Sequence, residues 1–527
     1  MRFAALTLAF AVSAIAFQDT GPAPAKPKRE KPTPREKARE LLEGAVGVSA
    51  SAQPDVQASA LLYIGENYDA FDHKKALDYI RQGFAATAAI PPDSHDLRGE
   101  LQSQIAGATA AMSLPDAAEM LRQIQPSPGD SGGHRDPRQS ALQSVISRML
   151  AKGQMDEATE LLTIVGSTGQ YPYRAAREIF EKLAPDDGRR ITVFASAMAA
   201  YALRPGSGFS DLVGRHWKDI PQSMAESAVR AMVENILSRK DEGYTVQTMS
   251  SEKGSVDFST QQDVELFDIM HVVQAIDPKR AERILEDRPA LRAALEKFPE
   301  GRASLGDHVN SSSTSGSGKP DPAISRKQML QGLASSRAAA AMKQLGDEAG
   351  AAAGKGDPLK AVALAKTIPV PARKAEALAI IARSVAARDA GIARSALSES
   401  IEILKEIKEP SDRIETWSAI VEAAHRIGDD KLAWEATDQG LADATELYKR
   451  DTDADAPNAA LRDRWPSTNS YRRVVIAASK AFGVDAEPLL LRITDPDLAL
   501  LARVEMAQAL LGRPHESWST SVSRTKK

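Results

Sequence analysis

Apolar residues recur at steps of three and four along most of this chain, and prolines punctuate them. After Pro371 the apolar positions are Ala375, Leu378, Ile381, Ala382 and Val385. After Pro410 the same steps give Ile414, Trp417, Ile420, Val421 and Ala424, and after Pro496 they give Leu500, Met506, Ala507 and Leu510. Such steps place the residues on one face of a helix. Proline is tolerated in the first helical turn, where its missing N–H would have no partner anyway. Each run therefore predicts a helix that starts at proline. Gly428, Gly483 and Gly512 fall where a left-handed residue closes a helix, whereas Asp389 takes that place after the first run.

The runs repeat. Ile368, Pro371, Glu376 and Ile381 return as Ile407, Pro410, Glu415 and Ile420, each 39 residues later. A second helix follows Gly428, with Leu432, Ala433, Ala436, Gly440 and Ala444 along its apolar side. One helix pair cannot bury its stripes alone, but stacked pairs share a continuous core. The expectation is an all-α chain: an α-solenoid of stacked antiparallel helix pairs, superhelical in form. A coiled coil needs unbroken heptads, and here proline or glycine interrupts about every fifteen residues. The repeat resembles the broad class of tetratricopeptide-like and HEAT-like helical repeats over most of 36–512, most clearly over 358–428. Its spacing lies between the common periods of those families, and the Trp-x-x-Leu-Gly-x-x-Tyr run is absent. The likeness is thus to an architecture, and it implies a scaffold or binding module.

The first half carries the pattern with more drift. Val145 and Ile146 stand before Gly153 as Ile420 and Val421 stand before Gly428. Tyr244–Phe258 departs from it: a loose alternation and the turn at Ser250–Gly254 fit a hairpin or a polar loop, with the loop slightly favoured. Asn310–Gly318 is a Ser/Gly run that reads as a flexible linker. These breaks divide the chain into a signal peptide (1–16), a disordered Pro/Lys-rich tether (17–34), a first helical-repeat arm (35–300), a linker (301–325), a second arm (326–515) and a disordered tail (516–527).

Composition narrows the picture. The net charge is −4 and aromatic residues make up 5% of the chain. No positive excess draws it to nucleic acid. Cysteine is absent, which removes disulfides, thiol nucleophiles and Cys-based zinc sites. Arg2 followed by an apolar run of about thirteen residues from Ala4 to Ala16, ending in Ala14-Ile15-Ala16, reads as a cleaved secretory signal. The mature chain is then exported, to the periplasm or beyond, with no transmembrane segment.

Candidate chemistry is sparse. The eight histidines share no helical spacing, and there is no phosphate loop, dinucleotide fingerprint or nucleophile elbow. No catalytic residue, metal site or cofactor is expected. Glu226-Ser227 resembles the catalytic Glu-Ser of helical lytic transglycosylases, but the run that should follow it is missing. The segment 463–473 is rich in residue types favoured at binding hot spots: Trp465, Asn469, Tyr471 and Arg472 are the candidate partner-binding residues. The competing account is that Trp465 closes a helix seam and Ser467 or Thr468 caps a helix. The expected function is an exported scaffold that binds a protein or peptide partner without catalysis. The alternatives are a polysaccharide-acting helical hydrolase or lyase, and a structural envelope spacer.

Overall fold

The structure, a computed structural model, describes residues 31–91, 96–126, 136–168, 170–206, 208–239, 244–306, 310–316, 344–453 and 460–513. The signal peptide, the tail, most of the tether and the end of the linker lie outside them. Apart from one small sheet, the described chain is helical. The first block comprises α1 (Pro34–Ser49), α2 (Pro54–Tyr68), α3 (His73–Ala86), α4 (Leu97–Thr109), α5 (Leu114–Gln123), α6 (Arg138–Ala151), α7 (Met155–Gly166), α8 (Tyr173–Lys182), α9 (Arg189–Leu203), α10 (Gly208–His216), α11 (Gln222–Ser238), α12 (Gln261–Ile276), α13 (Pro278–Glu286), α14 (Pro289–Lys297) and the single turn α15 (Arg302–Leu305). The second comprises α16, described over 344–354, then α17 (Pro358–Lys366), α18 (Pro371–Val385), α19 (Ala390–Glu406), α20 (Pro410–Arg426), α21 (Asp430–Asp453), α22 (Pro466–Phe482) and α23 (Pro496–Leu510).

The start and stop signals act as the sequence predicts. Proline opens α1, α2, α13, α14, α17, α18, α20, α22 and α23. Asp495 caps α23 by accepting from the Leu498 N–H at 3.0 Å. Gly153, Gly428, Gly483 and Gly512 all have positive φ. Asp389 does not close α18; it caps α19 instead, accepting from the Ile392 N–H. Helices pack on their sequence neighbours, as α2 on α3, α18 on α19 and α20 on α21, and α18, α20 and α22 also touch in succession. The α2–α3 seam is close because two glycines face it. A Cβ on Gly65 would stand 2.4 Å from Ile80, and one on Gly83 would stand 3.0 Å from the Ala58 carbonyl.

Two segments differ from the sequence reading. Tyr244–Phe258 is a hairpin rather than a loop: β1 (Tyr244–Ser251) pairs antiparallel with β2 (Gly254–Phe258). Its alternation is functional in packing terms, since Met249, Val256 and Phe258 are buried and the Phe258 ring lies 5.1 Å from Phe267 on α12. Asn310–Gly316, expected to be flexible, runs as a third strand, β3, along the other edge of β1. Strand pairing is made by backbone groups, so a Ser-rich segment can add to an exposed edge without an apolar face. The preceding turn is fixed by Gly301, at φ +60, where a Cβ would fall 1.9 Å from the Phe267 carbonyl oxygen.

The two blocks touch directly. α23 packs against α22 on one side and against α1 and α2 on the other. Leu498, Leu500, Leu501, Val504 and Met506 are all buried, so α23 is apolar around most of its circumference. One hydrophobic core accordingly runs from the start of the first block into the end of the second, while α16–α20, with Ala433 and Ala436 of α21 and Ala477 of α22, hold a second core built largely of alanine.

Candidate functional site

The segment that the sequence singles out lies at this junction. Trp465 is buried and its indole N–H donates to the Ala460 carbonyl at 3.0 Å. Tyr471 is buried and bonded to the Thr445 hydroxyl. Arg472 is buried too: it donates to the Asp463 carbonyl at 2.7 Å, lies 2.9 Å from a Glu505 carboxylate oxygen and covers the Tyr63 ring at 5.3 Å. The Tyr63 hydroxyl donates to the Asp463 carboxylate at 2.7 Å, which ties α2 to the segment before α22. Burial penalises the Arg472 charge, but Tyr63, Glu505 and Asp463 together hold its pKa above the ordinary value. Trp465 is closed into a seam, as the competing account has it, and Tyr471 and Arg472 are buried beside it. Ser467 and Thr468 do not cap α22, however; they donate to Asp451 and to the Arg462 carbonyl. Asn469 alone of the four candidates is exposed.

Charged residues surround that seam. The Arg462 N–H donates to Asp55 at 3.2 Å, and its guanidinium lies 3.3 Å from Asp497. Asp497 in turn accepts from the Gln53 N–H at 3.1 Å. Arg464 bonds Glu100 and Gln104, and Lys37 meets Glu487 at 2.7 Å. The signal for this contact is present in the sequence. Leu498, Leu500, Leu501, Val504 and Met506 spread apolar surface around most of Pro496–Leu510, more than one neighbouring helix can cover.

Asn469 opens onto a different surface. On α22 it shares a face with Arg473 and Lys480, and that face continues across α20 and α18. Arg373 bonds Glu376 at 2.7 Å and stands 3.8 Å from Glu415, which Arg473 also holds. Farther along the helices, Arg383 bonds Glu422 at 3.2 Å and Lys480 stands 3.8 Å from the same carboxylate. Between the two charged rows lie Ile380, Ser418 and Ile476, each half-buried. Glu376 and Glu415 are the matched residues of successive repeats, and so are Arg383 and Glu422. Stacking turns sequence periodicity into rows. Burial raises the pKa of Glu376, and the neighbouring Glu415 charge raises it further against the pull of Arg373.

Other reactive-looking groups have structural partners. Glu226 sits on the surface of α11, bonded to Gln222 one turn away, and Ser227 donates to the Ser223 carbonyl. His216, at the end of α10, bridges Glu181 and Asp219 and packs on Phe180. Among the described residues of the first block, the neighbouring carboxylates of Asp211 and Asp268 are shifted in opposite directions. Burial pushes Asp211 up, but Arg215 and Arg177 outweigh it and hold the group below the usual range. Asp268 is buried and pushed up to about 6, against the opposing charge of Arg302 at 2.9 Å. Divergence of this kind can mark acid–base pairs, yet Asp268 is sealed between Ser210 and Arg302. A groove of about 390 Å³ between α3, α4 and α5 has an apolar floor of Phe84 and Met120, with Arg81, Gln102 and Glu119 at its rim. Among the described residues no three or more His, Asp or Glu side chains gather as metal ligands, and no helix is long and apolar enough to cross a membrane.

Comparison with protein-family models, with curated proteins and with solved structures finds no match for this chain.

Proposed function

We propose that this chain is an exported α-solenoid that holds a protein or peptide partner and performs no chemistry of its own. In this reading the two blocks form one superhelical stack, with the second block leading into the first through α23. The partner lies across α18, α20 and α22. One observation carries the reading: matched residues of successive repeats line up on a single open face, so that neighbouring helices present a continuous row to an elongated ligand. The buried residues of 463–472 serve the stack, and Asn469 sits at the edge of the binding face.

The test is site-specific photo-crosslinking in the exported fraction. A photoreactive side chain at Ile476 is expected to trap one or a few proteins. The same group at Glu435, an exposed position on α21, is expected to trap none of them. Equal labelling from both positions, or measurable turnover of a polysaccharide by the purified chain, would overturn the proposal.

A further inference from the structure

The face across α18, α20 and α22 is layered by charge. Three of its cations stand outermost: the side chains of Arg373, Arg473 and Lys480 are 62%, 55% and 58% exposed, while Arg383, at 34%, lies level with the carboxylates. The carboxylates beneath them are lower, with Glu376, Glu415 and Glu422 at 23%, 37% and 13%. Arg426 adds a further exposed guanidinium, anchored to the Arg383 carbonyl at 3.1 Å. The carboxylates therefore act as a floor that fixes the cationic heads. What an approaching molecule meets first is positive charge in two rows, with the apolar edge of Ile380 and Ile476 between them.

We infer that the partner held on this face is an acidic, extended protein segment; the inference rests on the scaffold reading above. Arginine heads fixed from below lose little freedom when they take a second carboxylate, and their planar forks suit bidentate capture. Lys480, 3.8 Å from Glu422, is only loosely committed and can turn to a new partner. Helices packed side by side lie about 8–10 Å apart, so three of them span roughly 20 Å. An extended chain rises about 3.3 Å per residue, which makes the bound stretch about six residues. Acidic side chains would meet the two cationic rows, and small apolar side chains would cover Ile380 and Ile476.

The experiment measures fluorescence anisotropy of a labelled octapeptide alternating glutamate and leucine, titrated with the full chain. A lysine–leucine octapeptide and a single-stranded oligonucleotide serve as comparison probes. The acidic probe is expected to bind saturably and the lysine probe at least tenfold more weakly. Binding should weaken about tenfold between low and high salt, because exposed charges are screened. The double variant R373Q/R473Q should lose at least tenfold in affinity, and R373K/R473K should recover part of it, which separates lost charge from a disturbed surface. Absence of saturable binding, equal binding by the glutamine variant, tighter binding of the lysine probe, or displacement of the peptide by the oligonucleotide would each overturn the acidic-segment proposal. The crosslinking at Ile476 distinguishes the two levels. A trapped partner that the acidic peptide does not compete away sinks this inference alone, whereas no trapped partner and no peptide binding sink the scaffold reading with it.

Discussion

Around Phe209 the first block packs rings; around Ala382 the second packs methyl groups. Phe209 is fully buried and has Tyr173, Phe194 and Tyr201 at ring-centre distances of 5.8, 5.7 and 5.0 Å. In the core of α16–α20, alanine outnumbers all other buried residues together. Large rings fill whatever gap the helices leave, so helix spacing is free to drift. Alanine fills almost nothing, so the backbones themselves must approach at fixed positions, and the spacing has to repeat. The 39-residue match between Pro371–Ile381 and Pro410–Ile420 and the drifting pattern of the first block follow from that difference.

The comparison can be broken by deletion on one side and insertion on the other. Phe209→Ala removes the ring that three others contact and is expected to cost about 3–5 kcal/mol in chemical denaturation. A loss below about 1 kcal/mol would mean that the rings do not set the first block's packing. At the junction, Arg472→Leu strands Glu505 and Asp463 in a buried seam. Removing one partner of such a set costs about 3–5 kcal/mol, and hydrogen exchange should rise first in α2, α22 and α23. Ala382→Leu tests the opposite sensitivity. Overpacking a close seam costs about 1–3 kcal/mol, and the same measurement should place the damage in α18–α20.

The smallest effect is read from pH. Asp268 has a folded pKa of about 6, above its ordinary value of 3.8. The folded state therefore binds this proton more tightly than the unfolded state. Its contribution to stability is full at low pH, declines as pH rises from about 4 to about 6, and is flat above that. Asp268→Asn should remove that decline, a change of roughly 1–3 kcal/mol in the pH profile. A wild-type profile that gains stability from this group over the same window would contradict the burial account.

Much of the helical architecture is legible in the sequence because its signals are local. Proline starts, glycine stops and apolar steps each depend on a few neighbouring residues, and the helices opened at Pro371, Pro410, Pro466 and Pro496 follow them. The hairpin is harder to see, because its pairing joins Met249 to Val256 across a turn and its buried face rests on Phe267. β3 gives no apolar signal at all. The candidate residues stand out by type alone: Trp465, Tyr471 and Arg472 suit a binding hot spot and a buried seam equally well. For Arg472 the outcome depends on Tyr63 and Glu505, and for Tyr471 on Thr445, all distant in the chain. The charged face was half legible, since the repeat itself pairs Glu376 with Glu415. Exposure, which decides that the cations stand outermost, is a property of the packed helices.

The central physical claim is that α23 joins the two blocks into one stack, independent of the covalent link between them. It is tested by inserting a specific protease site after Gly318, cutting the purified chain to completion and measuring the native mass by light scattering. The account predicts that both pieces stay together at the mass measured for the same chain before cutting. Separation into two smaller species on cleavage would contradict it.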